Sequence, residues 1–180
     1  MSGIPASEWQ FAEGQRGRPE IAHPASRWSF NLAHSGNLVA CVLSSVSEVG
    51  VDLEDLQRRP PIRDLAQRFC SPAEAADIER QPEPARTRRF LTYWTLKEAY
   101  LKARGLGIAV HLADVEFTLE VEHPTINFRE SLEGTSREWA FALFEPTPRY
   151  LLSVAVPQPA GSPRPDIAVH ALTLDALITP

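Results

Sequence analysis

At Arg58-Arg59-Pro60-Pro61 the chain changes the period of its apolar residues, and this change does most to restrict the folds open to it. Upstream, Trp28-Ser29-Phe30-Asn31-Leu32 alternates with period two, Leu38 to Leu43 is a short apolar run, and Val49-Gly50-Val51-Asp52-Leu53-Glu54 alternates again. Each predicts a strand. A shorter strand-like piece, Glu8-Trp9-Gln10-Phe11, precedes a turn-rich stretch from Gly14 to Pro19, and His34-Ser35-Gly36-Asn37 predicts a tight connection. Downstream the pattern is helical. Ser71-Pro72-Ala73-Glu74 offers a hydroxyl N-cap, proline at the first helical position and Glu at N3, which predicts a helix start. A longer helix is predicted from Pro84 to Arg104, punctuated by Gly105 and Gly107. Strands return at Val115 to Leu119, Trp139 to Phe144 and Tyr150 to Val156, followed by a Pro-rich loop from Pro157 to Pro165 and an apolar segment from Ile167 to Ile178. This order predicts an α+β protein with a largely antiparallel sheet packed with helices.

A chain of 180 residues is the size of one compact domain. Its net charge of −5 argues against nucleic acid as the main partner, because that binding needs a basic face. No run approaches the ~18 consecutive apolar residues of a membrane span, and Met1 to Gln10 lacks the apolar stretch of a signal peptide. Cys41 and Cys70 have no metal-ligand spacing and read as buried free thiols of a cytoplasmic protein.

Two short segments carry the chemistry. On a strand Asp52 and Glu54 face the same side, while Val51 and Leu53 point to the core. Paired carboxylates repel unless a cation lies between them, which raises a pKa or recruits a metal; a solvated strand end is the plainer account of the same pair. On a helix Trp94, Glu98 and Lys102 share a face through their spacing of four. Taken alone, that face is an aromatic packing residue and an ion pair of about 0.3–0.5 kcal/mol. Taken together, three carboxylates with lysines beside them suit Mg²⁺, which prefers hard oxygen ligands and keeps phosphate oxygens in its shell.

The strand Val49–Glu54 and the segment Trp94-Thr95-Leu96-Lys97-Glu98-Ala99-Tyr100-Leu101-Lys102, at their separation, resemble the signature of 4′-phosphopantetheinyl transferases. Gly17-Arg18-Pro19-Glu20-Ile21 resembles the Gly-Lys-Pro turn of that family, with Arg in the Lys position. Phe30-Asn31-Leu32-Ala33-His34-Ser35-Gly36 resembles its Phe-Asn-apolar-Ser-His-Ser segment. The resemblance runs from Gly17 to Gly107.

It implies a 4′-phosphopantetheinyl transferase-like fold with pseudo-two-fold halves. It also implies transfer of the phosphopantetheine arm of coenzyme A to a serine of an acyl or peptidyl carrier protein, releasing adenosine 3′,5′-bisphosphate. By resemblance Asp52, Glu54 and Glu98 hold Mg²⁺, Glu98 is the base and Lys102 contacts the phosphates. Arg18, His34, Ser35 and Lys97 are the further coenzyme A contacts, with Lys97 expected to stay in solvent because lysine is seldom fully buried.

The whole of 1–180 would be a single transferase domain. Within it, 1–48 is a partial first half, 49–156 a second half with the main motifs, and 157–180 a Pro-rich tail. Compared with the monomeric, surfactin-synthetase-activator-like members, the chain is short before Gly17. It therefore either lacks their first strand and helix or has its start set too far downstream. Two rival functions are a poorly active relative that binds coenzyme A or a carrier protein, and a metal-dependent nuclease. The nuclease fits less well, since the lysine follows Glu98 by four on a predicted helix and the chain is acidic.

Overall fold

The computed structural model describes residues 4–14, 17–45, 48–106, 111–119, 123–128 and 138–173. Its strands are β1 (Gln10–Glu13), β2 (Pro19–His23), β3 (Ser29–Ser35), β4 (Leu38–Ser44) and β5 (Gly50–Asp55), then β6 (Val115–Thr118), β7 (Thr125–Phe128), β8 (Trp139–Thr147) and β9 (Tyr150–Pro157). Helices α1 (Ile62–Phe69), α2 (Pro72–Glu79) and α3 (Ala85–Arg104) lie between β5 and β6. Every strand pairing is antiparallel: β1 with β2, β3 with β4, β6 with β7, and β5-β9-β8 in a three-stranded sheet. The class is α+β, as the change of period predicts. No helix among the described residues is long and apolar enough to cross a membrane.

β9 is the middle strand, and its sheet divides two cores. On one side Val51, Leu53, Leu152 and Val154 pack with Ala33 and Ala40 of the β3–β4 hairpin. On the other side α3 lays Leu96, Ala99, Tyr100 and Ala103 against Ala155 and Phe141. Each face buries apolar area worth about 25 cal/mol per Å². β5 is therefore buried along its whole length, Asp52 and Glu54 included, and the solvated strand end does not describe it.

Two polar side chains of β3 serve the edge of β5 away from β9. Asn31 Oδ1 accepts from Val51 N (3.0 Å), and Ser35 Oγ accepts from Asp55 N (3.1 Å). Ser35 and His34 thus belong to the strand, and the hairpin turn narrows to Gly36-Asn37, with Gly36 at φ 56°. A two-residue loop of this kind needs positive φ, which glycine adopts without strain.

The predicted caps are present. Ser71 Oγ accepts from Glu74 N (3.2 Å), Glu74 Oε2 accepts from Ser71 N (2.7 Å), and Pro72 fills the first helical position of α2. Gly105, at φ 61°, closes α3 in the left-handed conformation. Sequence reading misses α1, β2 and β7: α1 carries helical spacing at Ile62, Leu65, Ala66 and Phe69 over only two turns, and β2 and β7 are no longer than five residues. Cys70 is buried as expected, whereas Cys41 is exposed on β4, whose alternate residues face away from the core. The expected strand at Glu8–Phe11 begins instead at Gln10, after a single 3₁₀ turn. Gly107 and the end of the apolar segment beyond 173 lie outside the described residues.

Candidate active site

Gly50 sets the geometry. A Cβ at this position would lie 2.0 Å from the Ala99 carbonyl oxygen and 2.5 Å from Ala103 N, so only glycine permits α3 to cross β5 at this distance. Two residues along the strand, on the same face, Asp52 meets the helix. Lys102 Nζ donates to Asp52 Oδ1 at 2.6 Å, whereas Asp52 Oδ2 is buried and has no hydrogen-bond partner. Glu54, next on that face, is buried and pairs with Arg58 at 2.5 Å. Glu98 lies one turn before Lys102 on α3 and is half-buried.

Burial pushes the Asp52 carboxyl up to about 7, the Lys102 ammonium pulls it back, and the charges of Glu54 and Glu98 push it up again. A lysine at 2.6 Å would by itself hold a carboxyl low, so desolvation and crowding outweigh it here. Glu98 is raised for the same reasons: burial first, then the charge of Glu54, against Lys102. Asp52, Glu54 and Glu98 thus form one electrostatic group with too little positive charge.

An added cation would relieve that group, and its donors are the hard oxygens that Mg²⁺ takes. As the side chains stand, however, no three histidine, cysteine or carboxylate groups among the described residues gather closely enough to hold a metal ion. Asp52 and Glu54 are each turned onto a cationic side chain instead. The donor chemistry and the orphaned oxygen fit a metal; the present side-chain arrangement does not yet enclose one.

The other expected contacts are placed differently. Lys97 is fully buried, which corrects the expectation of a solvated or phosphate-bound lysine. Its ammonium lies 2.7 Å from Glu74 Oε2 and donates to the carbonyls of Leu112 (2.8 Å) and Val115. Glu74 Oε1 accepts from Phe117 N at 2.8 Å. Burial is tolerable because the ammonium has three oxygen acceptors and the Glu74 carboxylate balances its charge. Lys97 thereby ties α3 to α2 and β6, with no donor turned towards Asp52. Ser35 is spent on β5, and His34 is exposed on the opposite face of β3, across from Val39. Arg18 donates to four backbone carbonyls. Asn31 and Glu74 were missed as positioning groups. A polar residue inside an alternating strand was the available hint for Asn31, whereas the wider role of Glu74 depends on elements distant in sequence.

The profile of the 4′-phosphopantetheinyl transferase superfamily matches residues 48–155, from the residue pair before β5 through most of β9. The chain belongs to this superfamily. A putative 4′-phosphopantetheinyl transferase of Synechocystis sp. is 43% identical over 108 residues, covering 59% of this chain and 44% of that protein. The 4′-phosphopantetheinyl transferase HetI of Nostoc sp. is 33% identical over 156 residues, covering 86% of this chain and 63% of its own length. The chain thus spans between 44% and 63% of these two curated relatives. Among solved structures, a holo-(acyl-carrier-protein) synthase from Bacillus anthracis, in complex with CoA (3′,5′-ADP), shares the fold. It aligns with TM-score 0.53 and 19% identity over 63% of this chain and 96% of that one.

Proposed function

We propose that the chain transfers the 4′-phosphopantetheine group of coenzyme A to a serine of an acyl or peptidyl carrier protein. The observation that carries this reading is the buried Asp52, held by Lys102 on one oxygen and unpartnered on the other, beside Glu54 and Glu98. Family membership and the relatives named as 4′-phosphopantetheinyl transferases support the same chemistry. Asp52, Glu54 and Glu98 are the residues to hold Mg²⁺, which when bound would neutralise charge on the pyrophosphate. Glu98, whose carboxyl burial raises above the ordinary glutamate range, suits a base that takes the proton of the acceptor serine. The serine oxygen then bonds the phosphorus that carries pantetheine, the bond from that phosphorus to the bridging oxygen breaks, and adenosine 3′,5′-bisphosphate leaves with the electron pair. Lys102, whose ammonium lies on Asp52 beside the acidic group, would supply donors to the phosphate oxygens. A chain that uses coenzyme A in this way would work in the cytoplasm.

Incubation of purified chain with an apo carrier protein, coenzyme A and Mg²⁺ tests the reading by intact mass. The expected result is a gain of one phosphopantetheine, abolished by Glu98→Ala and by chelation. A second reading, a binder of coenzyme A or carrier protein without turnover, draws on the carboxylates among the described residues not enclosing a metal. Binding of coenzyme A with no mass gain at any Mg²⁺ concentration would favour it.

A further inference from the structure

Arg18 is occupied in a way that no phosphate contact would be. Its Nη1 donates to the carbonyls of Lys102 (3.0 Å) and Ala103 (3.3 Å), in the last turn of α3. Its Nη2 donates to Phe30 O (3.4 Å) on β3 and Val49 O (3.2 Å), the residue that leads into β5. The last carbonyls of a helix lack intrahelical partners and carry the negative end of its dipole, so a guanidinium is favoured there on both counts. The fork also spans the crossing at Gly50, where α3 comes nearest to β5. One of its acceptors is the carbonyl of Lys102, the residue whose ammonium holds Asp52.

We propose that Arg18 is a positioning residue: it locks the end of α3 onto the start of β5 and so fixes Lys102 and Glu98 against Asp52. This rests on the transferase reading for its functional consequence, though not for the clamp itself. Turning the guanidinium towards a phosphate would give up four part-buried carbonyl contacts, of which the Lys102 carbonyl keeps another donor, Gly105 N at 3.2 Å, and acceptors that lose a partner away from water are costly. The clamp also explains why this turn carries Arg. A planar fork serves two pairs of acceptors on different elements, whereas an ammonium is a single point of charge.

The test compares Arg18→Lys, Arg18→Ala, Lys102→Ala and the double variant Arg18→Lys/Lys102→Ala, each first checked for folding by circular dichroism and melting. With an apo carrier protein, coenzyme A and Mg²⁺, Arg18→Lys should lower kcat by about tenfold or more, as Arg18→Ala does. The KM and calorimetric Kd for coenzyme A should stay within about threefold, since ground-state binding is not what is lost. The double variant should be little worse than Lys102→Ala, because the two residues act through one contact; a general loosening of the fold would multiply the losses instead. Arg18→Lys with wild-type kcat, together with coenzyme A binding weakened about tenfold or more in Arg18→Ala, would overturn the proposal in favour of a phosphate contact. If Arg18→Ala does not fold, Arg18→Lys alone decides. A wild-type chain that transfers nothing would sink the transferase reading. The clamp would then be judged on a crystal structure of Arg18→Lys: a displaced Lys102–Asp52 contact supports it, and an unchanged 2.6 Å contact refutes it.

Discussion

Asp52 is a carboxyl that folding asks to remain protonated, and the sign of its effect on stability follows. Its ordinary value is 3.8 and in the folded chain it stands at about 7. The folded state therefore binds this proton more tightly than the unfolded state. The contribution to stability is full below the ordinary value and is lost as pH rises through about 7, with Glu98 shifted in the same direction. Metal-free chain should melt higher at about pH 6 than at about pH 8, and Asp52→Asn should remove most of that slope. Added Mg²⁺ should raise the melting point more at the higher pH; scanning calorimetry in buffers with chelator or with Mg²⁺ measures both. An unchanged slope in Asp52→Asn would place the strain elsewhere. Lys97 gives a different signature. Lys97→Met strands the Glu74 carboxylate in the core, at a cost of about 3–5 kcal/mol. Most of that should return in Lys97→Met/Glu74→Gln, while coenzyme A affinity, read by calorimetry on whichever variant folds, should hardly move.

α3 and β5 make the site together, and Gly50 is where they touch. Gly50→Ala places a methyl against backbone atoms of Ala99 and Ala103 that cannot rotate away. The helix must shift, with an expected loss of about 1–3 kcal/mol in urea melts and a fall in transfer rate larger than the stability loss alone would produce. Sequence was informative here to the extent that chemistry is periodic. Spacings of two and four place Asp52 with Glu54 and Glu98 with Lys102, and the cap of α2 is written in four consecutive residues. Sequence does not disclose the burial of Lys97 or the backbone acceptors of Arg18, because nothing local shows which distant groups a cation will meet. Their partners, Glu74 with the carbonyls of Leu112 and Val115, and the carbonyls of Phe30, Val49, Lys102 and Ala103, come from segments brought together only by the fold. Similarly, β5 reads as one-sided by alternation, yet it is covered on both faces, because Asp52 and Glu54 face a helix rather than water.

Across the whole molecule, the central sheet couples its two cores. Leu53 lies on the hairpin side, while Trp94 and Trp139 lie on the side of α3. Leu53→Ala is expected to cost about 2–5 kcal/mol, and in a background with Trp9 and Trp28 replaced by Phe, tryptophan fluorescence should report the same lowered midpoint as circular dichroism, because unfolding is a single transition. Two separated transitions would mean that the cores melt independently. The side chains of Asn31 and Ser35 have a further consequence at this scale. A strand with an open row of amide donors is a template on which other chains can build a ladder, and cross-β aggregation starts at such edges. By accepting from Val51 and Asp55, these two side chains give the strand that bears the acidic pair a capped edge rather than a templating one. The strand is thereby shielded from fibril-type pairing without a proline or a bulge that would have disturbed the spacing of Asp52 and Glu54.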